Sequence, residues 1–110
     1  MNRGSLGVVK SYVVAPEAEN HLQRIWRYLL GAAGLAAANQ IQTELVDAFQ
    51  ELANVPAQGH RRPDLTTRDV LFFGVYQYLI VYRRAATVEI IAVLHSKRDV
   101  KRLLRKGLSQ

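Results

Sequence analysis

The chain has 110 residues, 49% hydrophobic and 22% charged, with a formal net charge of +6 and no cysteine. That length supports one domain around one core, and the apolar content is too high for a disordered tail. Disulfide staples, thiol nucleophiles and thiolate zinc sites are excluded together.

Val8 to Ala15 is rich in β-branched residues and reads as a first strand, stopped by Pro16. Lys10, Ser11 and Tyr12 interrupt it, so it is not expected to be a secretory leader. Pro16 suits the first position of a helix, where its missing N–H costs nothing, and Glu17 and Glu19 complement the positive end of the dipole. Ala18, Leu22, Ile25 and Leu29 then recur at helical spacing, with Trp26 beside them, while Glu19, Gln23 and Arg27 face away. Gly31 and Gly34 are expected to break the pattern. A second helix runs from Leu35 to about Ala53, with Ile41, Leu45, Ala48, Phe49 and Leu52 as its apolar stripe, and Val55-Pro56 ends it. The short gap predicts an antiparallel helical hairpin, with Trp26 and Phe49 as core residues.

After Ala57 comes a polar loop, Gln58-Gly59-His60-Arg61-Arg62-Pro63-Asp64. Three β-rich runs follow, Val70 to Val75, Tyr78 to Arg84 and Val88 to His95, and their short separations predict an antiparallel meander. Leu79-Ile80-Val81 is apolar at successive positions, which predicts a strand covered on both faces. A short basic helix over 99–107 closes the chain, with Val100, Leu103 and Leu104 as a narrow apolar stripe. The expected fold is α+β, β-α-α-β-β-β(-α), a helical hairpin packed on a small, curved, mainly antiparallel sheet. Residues 1–110 form a single domain, of which 1–7 carry no readable motif and are expected to be flexible.

Charge is unevenly placed. Residues 1–56 hold four Lys/Arg and five Asp/Glu, whereas residues 57–110 hold eleven Lys/Arg and four Asp/Glu. The basic half predicts an acidic partner (nucleic acid, an acidic protein segment or an anionic surface), the alternative being a solvated basic face with no partner. No apolar run approaches the ~20 residues of a membrane span, and a cytoplasmic location with no membrane partner is expected. His21, His60 and His95 lie in different elements without metal-ligand spacing, and no GK[ST] loop or GxSxG elbow occurs, so neither a metal nor another cofactor is expected. Metal-free RNA cleavage survives this screen. It needs a base, an acid and cations around a crowded phosphate. Arg61, Arg62, Arg83, Arg84 and Arg98 offer the cations, and His95, His60, Tyr82 and Glu89 are candidate proton carriers. The alternatives are equally concrete: His95 as an end-of-strand histidine bonded to backbone, and Tyr76, Tyr78 and Tyr82 as sheet packing.

Three stretches, Gly59-His60-Arg61-Arg62-Pro63-Asp64-Leu65, Val75-Tyr76-Gln77-Tyr78-Leu79-Ile80-Val81-Tyr82-Arg83 and Val93-Leu94-His95-Ser96-Lys97-Arg98-Asp99, resemble the ParE branch of the ParE/RelE toxin superfamily. The element order agrees, from about Tyr12 to Leu104. Members are toxins of bacterial type II toxin–antitoxin modules, also called plasmid-stabilisation proteins and linked to stress responses. RelE-type members are ribosome-dependent messenger-RNA endonucleases with lysines on the second strand, an arginine on the third, an arginine after the last and often a tyrosine in the final helix. Here the second strand reads Val70-Leu71-Phe72-Phe73-Gly74, the third-strand position matches Leu79, and Leu103 and Leu104 occupy the final helix. Of that set Arg98 alone matches. ParE-type members lack the set, share the His95-to-Asp99 pattern and poison DNA gyrase.

The resemblance therefore implies a gyrase-directed toxin without catalytic residues, neutralised by a cognate, ParD-like or other antitoxin that presents an acidic amphipathic segment. Arg61, Arg62, Arg83 and Arg98 are the candidate antitoxin contacts, and Arg98, Lys101, Arg102, Arg105 and Lys106 the candidate target contacts. Direct nucleic-acid binding is secondary. One alternative is a RelE-like endonuclease using His95, Arg98 and Tyr82. Another is a non-toxic basic domain that acts with its antitoxin in autoregulation. Ala15 stands where such proteins commonly place a Ser or Asp helix cap.

Overall fold

The computed structural model describes residues 11–106. The expectation for residues 1–7 and the Val8–Lys10 part of the first strand lie outside the described residues. The rest follows the expected order: β1 (Tyr12–Val14), α1 (Pro16–Ala33), α2 (Leu35–Asn54), a 3-10 turn (Pro56–Gln58), β2 (Leu71–Val75), β3 (Tyr78–Arg84), β4 (Val88–His95) and α3 (Arg98–Lys106). The fold is α+β, with the sheet order β1-β4-β3-β2. β2, β3 and β4 form the antiparallel meander, and β1 lies parallel to β4. A parallel pair needs a long crossover, and the helical hairpin supplies it.

The hairpin turns at Gly34 alone. Gly31, expected to break the helix as well, lies inside α1. A single helical glycine costs ~1 kcal/mol relative to alanine, too little to end a helix whose next turn is alanine-rich. Gly34 has φ +95°, a conformation that L side chains rarely adopt, and its N–H reaches the carbonyls of Leu29 and Leu30. Pro16 opens α1 as predicted, and Ala15 before it makes no side-chain cap.

Two apolar clusters sandwich β3. Ile80, Tyr82, Ile90 and Val93 pack against Ala18, Leu22, Leu45, Phe49 and Leu52 of the hairpin, with Tyr12 edge-on to Phe49 at 5.6 Å. On the opposite face Val81, Ala92 and Leu94 meet Leu65, Val70 and Phe72 from the loop and β2, and Val100 of α3 joins them. That second cluster is why three successive apolar residues are tolerated in β3. A register shift between Val81 and Tyr82, which pair with Ala92 and Ile90, leaves Ile91 unpaired in β4. Ile91 and Ala92 thereby fall on the same face. Trp26 is half-buried, and its indole N–H donates to Asn39 Oδ1 at 3.0 Å, bracing α1 on α2.

The loop before β2 is pinned by one tyrosine. Tyr82 is fully buried; its hydroxyl donates to the Pro56 carbonyl at 2.6 Å and accepts from the Gly59 N–H at 2.8 Å. Next to it His60 and Phe72 exchange backbone hydrogen bonds, so the loop covers part of the β2 edge. A Cβ on Gly59 would stand 2.6 Å from that hydroxyl and 3.0 Å from the Phe72 carbonyl. Gly59→Ala is expected to lower stability by about 1–3 kcal/mol, the usual cost of overpacking a core, as a shifted urea midpoint at unchanged slope would show.

Candidate functional site

α1, β4 and α3 converge on a cleft of about 290 Å³, lined by His21, Arg24, Tyr28, Tyr78, His95, Arg98, Asp99 and Arg102 among others. Three spacings build it. His21, Arg24 and Tyr28 lie on one side of α1 at i, i+3 and i+7. Tyr78 and His95 are paired across β3 and β4. Arg98 and Arg102 stand one turn apart on α3.

The start of α3 is fixed by a reciprocal pair of caps. The His95 Nδ1 accepts the backbone N–H groups of Lys97 at 3.2 Å and Arg98 at 3.1 Å. In return the His95 N–H donates to Asp99 Oδ2 at 2.7 Å. An acceptor Nδ1 requires the neutral ring protonated at Nε2. The ring also meets Tyr78 edge-on, with centroids 5.9 Å apart. Burial raises the Tyr78 hydroxyl pKa above its ordinary value.

His21 is held in the same way, accepting the Val93 N–H at Nδ1 over 3.2 Å. Burial lowers its pKa, opposed by the charge of Glu17, whose carboxylate lies 3.8 Å away. The folded chain therefore takes up this proton at a lower pH than the unfolded chain, whose histidine has the ordinary value of 6.5. Its contribution is fully present above pH 6.5 and is lost as the pH falls below 6.5 through the folded pKa. His21→Gln is expected to flatten the stability–pH profile in that window, a change that denaturation at closely spaced pH values would record.

Two sets of arginines differ in their partners. Arg61 is ion-paired with Asp69 and Arg83 with Glu89, while Arg62 forks onto Asp64 at 3.0 and 2.8 Å. The Arg62 bond holds the Asp64 carboxyl below the usual range. These three candidate antitoxin contacts are thus already matched by carboxylates within the chain, on the loop and the β3–β4 ladder, and they do not line the cleft. Arg24, Arg98 and Arg102 have no carboxylate within ion-pair distance among the described residues. The Arg98 guanidinium instead lies over the Tyr28 ring, 5.7 Å from its centroid.

Of the three residues a nuclease would use, His95 and Arg98 meet in the cleft and Tyr82 does not line it. Tyr82 lies four residues beyond Tyr78 on β3, roughly 13 Å along an extended strand, and its hydroxyl is engaged by Pro56 and Gly59. Lys101 projects from α3 beside Lys97 and Val100, and the side chains of Arg105 and Lys106 lie outside the described ones. Arg24 and Tyr28 are cleft residues that sequence reading missed. Their i, i+4 spacing was the available signal, but nothing local showed that α3 would pack opposite them.

A hairpin crossover on a four-stranded mixed sheet, with a basic helix beside an arginine-rich cleft, defines a small α+β fold. The family model described as the ParE toxin of the type II toxin–antitoxin system parDE matches residues 12–100, and the chain belongs to that family. Its fold is similar to that of a solved chain from the "Chromosomal ParDE TA system from P. aeruginosa". That likeness has a TM-score of 0.69 at 17% identity, over 81% of this chain and 98% of the other. No curated protein sequence matches.

Proposed function

We propose that this chain is a protein-directed toxin that inhibits DNA gyrase in the cytoplasm and is neutralised by a cognate antitoxin. The observation that carries the reading is the family match over residues 12–100. The residues of β2 support it, since Leu71-Phe72-Phe73-Gly74-Val75 offers no cation to a scissile phosphate. No described helix is long and apolar enough to cross a membrane.

An antitoxin has surfaces to occupy. Leu30 and Leu35 are exposed at the hairpin tip, with Val46 further along α2, and they suit the apolar side of an amphipathic helix. Carboxylates of the same segment would compete for Arg61, Arg62 and Arg83 or reach Arg98. Expression of the chain should arrest growth, and co-expression with the product of the adjacent gene should relieve the arrest and give a complex that survives pull-down. A soluble, harmless chain that ignores its neighbour's product would refute the reading.

His95→Ala separates a capping role from a catalytic one. Loss of the cap is expected to cost about 0.5–2 kcal/mol and to leave toxicity largely intact. Loss of a general acid or base would instead slow the chemical step by ~10²–10⁴-fold. Cleavage of ribosome-bound message by the parent chain, abolished in this variant, would favour the endonuclease reading.

A further inference from the structure

We propose that the cleft between α1 and α3 binds a nucleoside 5′-monophosphate group, free or at the end of a strand. Arg24, Arg98 and Arg102 would hold the phosphate, and Tyr28 would take the base. This assignment does not depend on which enzyme the toxin inhibits.

The charge pattern comes first. The chain neutralises Arg61, Arg62 and Arg83 with its own carboxylates, whereas the three cleft guanidiniums meet no carboxylate among the described residues. They come from two elements distant in sequence, so the cluster is a product of the fold and not of one basic run. Among the described residues Asp99 is the one acid lining the cleft, and its Oδ2 is engaged by the His95 N–H.

Ligand chemistry follows from the count of donors. Three guanidinium forks offer more hydrogen bonds than a single carboxylate can accept. A phosphate monoester carries about −1.5 to −2 charge and three acceptor oxygens, a closer match. Tyr28 is 58% exposed. Beside the phosphate position its ring provides a stacking surface for a base, and Arg98 over that ring adds a second planar group. The cleft, about 290 Å³, is at the small end of ligand sites and suits one nucleotide unit.

Titration calorimetry on the full chain tests this with adenosine 5′-monophosphate, adenosine, inorganic phosphate and an octaglutamate peptide. Saturable 1:1 binding of the monophosphate is expected, with adenosine silent and phosphate weaker than the nucleotide. Arg24→Gln and Arg102→Gln, each checked for an unchanged circular dichroism spectrum, should weaken it roughly tenfold or more, the loss typical of one charged hydrogen bond. The double variant Arg61→Gln/Arg62→Gln should leave it unchanged. Displacement by a 5′-phosphorylated trinucleotide would assign the site to strand ends, and failure to displace would assign it to free nucleotides. Absence of saturable binding, indifference to Arg24 and Arg102, or octaglutamate binding more tightly than the nucleotide would overturn the proposal. Inhibition of gyrase by a chain that binds no nucleotide would overturn this inference and leave the functional reading standing.

Discussion

Reversing Lys101, Arg102, Arg105 and Lys106 to glutamate is expected to abolish growth inhibition while the fold and antitoxin binding persist. Residues 97–106 carry six cations against one acid, Asp99. Val100 packs the start of α3 against the sheet, and Lys101 and Arg102 are exposed. A helix held by one narrow apolar side must present its cations to solvent or to a partner. Four reversals of two units each take the formal net charge from +6 to −2, so a target whose DNA-bound form is negative would repel the variant. Inhibition by the parent chain should also weaken with added salt, because exposed charges are screened beyond ~10 Å at 0.1 M. Growth curves of cells expressing each chain, with circular dichroism and pull-down as controls, give the comparison. Undiminished toxicity would reduce this helix to a solubilising surface.

Tyr82→Ala is expected to be the most destabilising of the single substitutions considered, by about 3–5 kcal/mol, as for other large aromatic truncations in cores. The residue is fully buried between β3 and the helical hairpin, and its hydroxyl joins the carbonyl that opens the 3-10 turn to the N–H of Gly59. Tyr82→Phe keeps the ring and strands those two backbone groups, so it should cost about 1–3 kcal/mol. Urea denaturation of both variants separates the packing contribution from the hydrogen-bonding one. Equal losses would mean that the ring's burial contributes nothing beyond the hydroxyl.

The fold was legible in the sequence because its signals are local. Pro16 and the Ala18-Leu22-Ile25-Leu29 spacing mark α1, and the Val70–Val75, Tyr78–Arg84 and Val88–His95 runs mark a meander whose last two strands have those bounds. Leu79-Ile80-Val81 correctly pointed to a strand covered on both faces. Gly31 misled because helix propensity is a small term beside the packing of the hairpin. The bulge at Ile91 was not readable, since a strand of continuous apolar residues gives no sign of which residue drops out of the ladder.

The site was less legible, for a different reason. Whether an arginine is free depends on which carboxylate the fold brings to it. Arg83 meets Glu89 across the ladder and Arg61 meets Asp69 across a loop, pairings that spacing alone does not reveal. Arg24 and Tyr28 lie far in sequence from Arg98, and the parallel β1–β4 pairing, by placing α1 over the end of the sheet, is what brings them together.

The most direct test of the central claim is a DNA supercoiling assay with purified gyrase, ATP and the purified chain. The expected result is that supercoiling stops in proportion to added toxin, that broken DNA accumulates, and that prior addition of the antitoxin prevents both. Gyrase running at its full rate, while the same preparation cuts message on translating ribosomes, would contradict it.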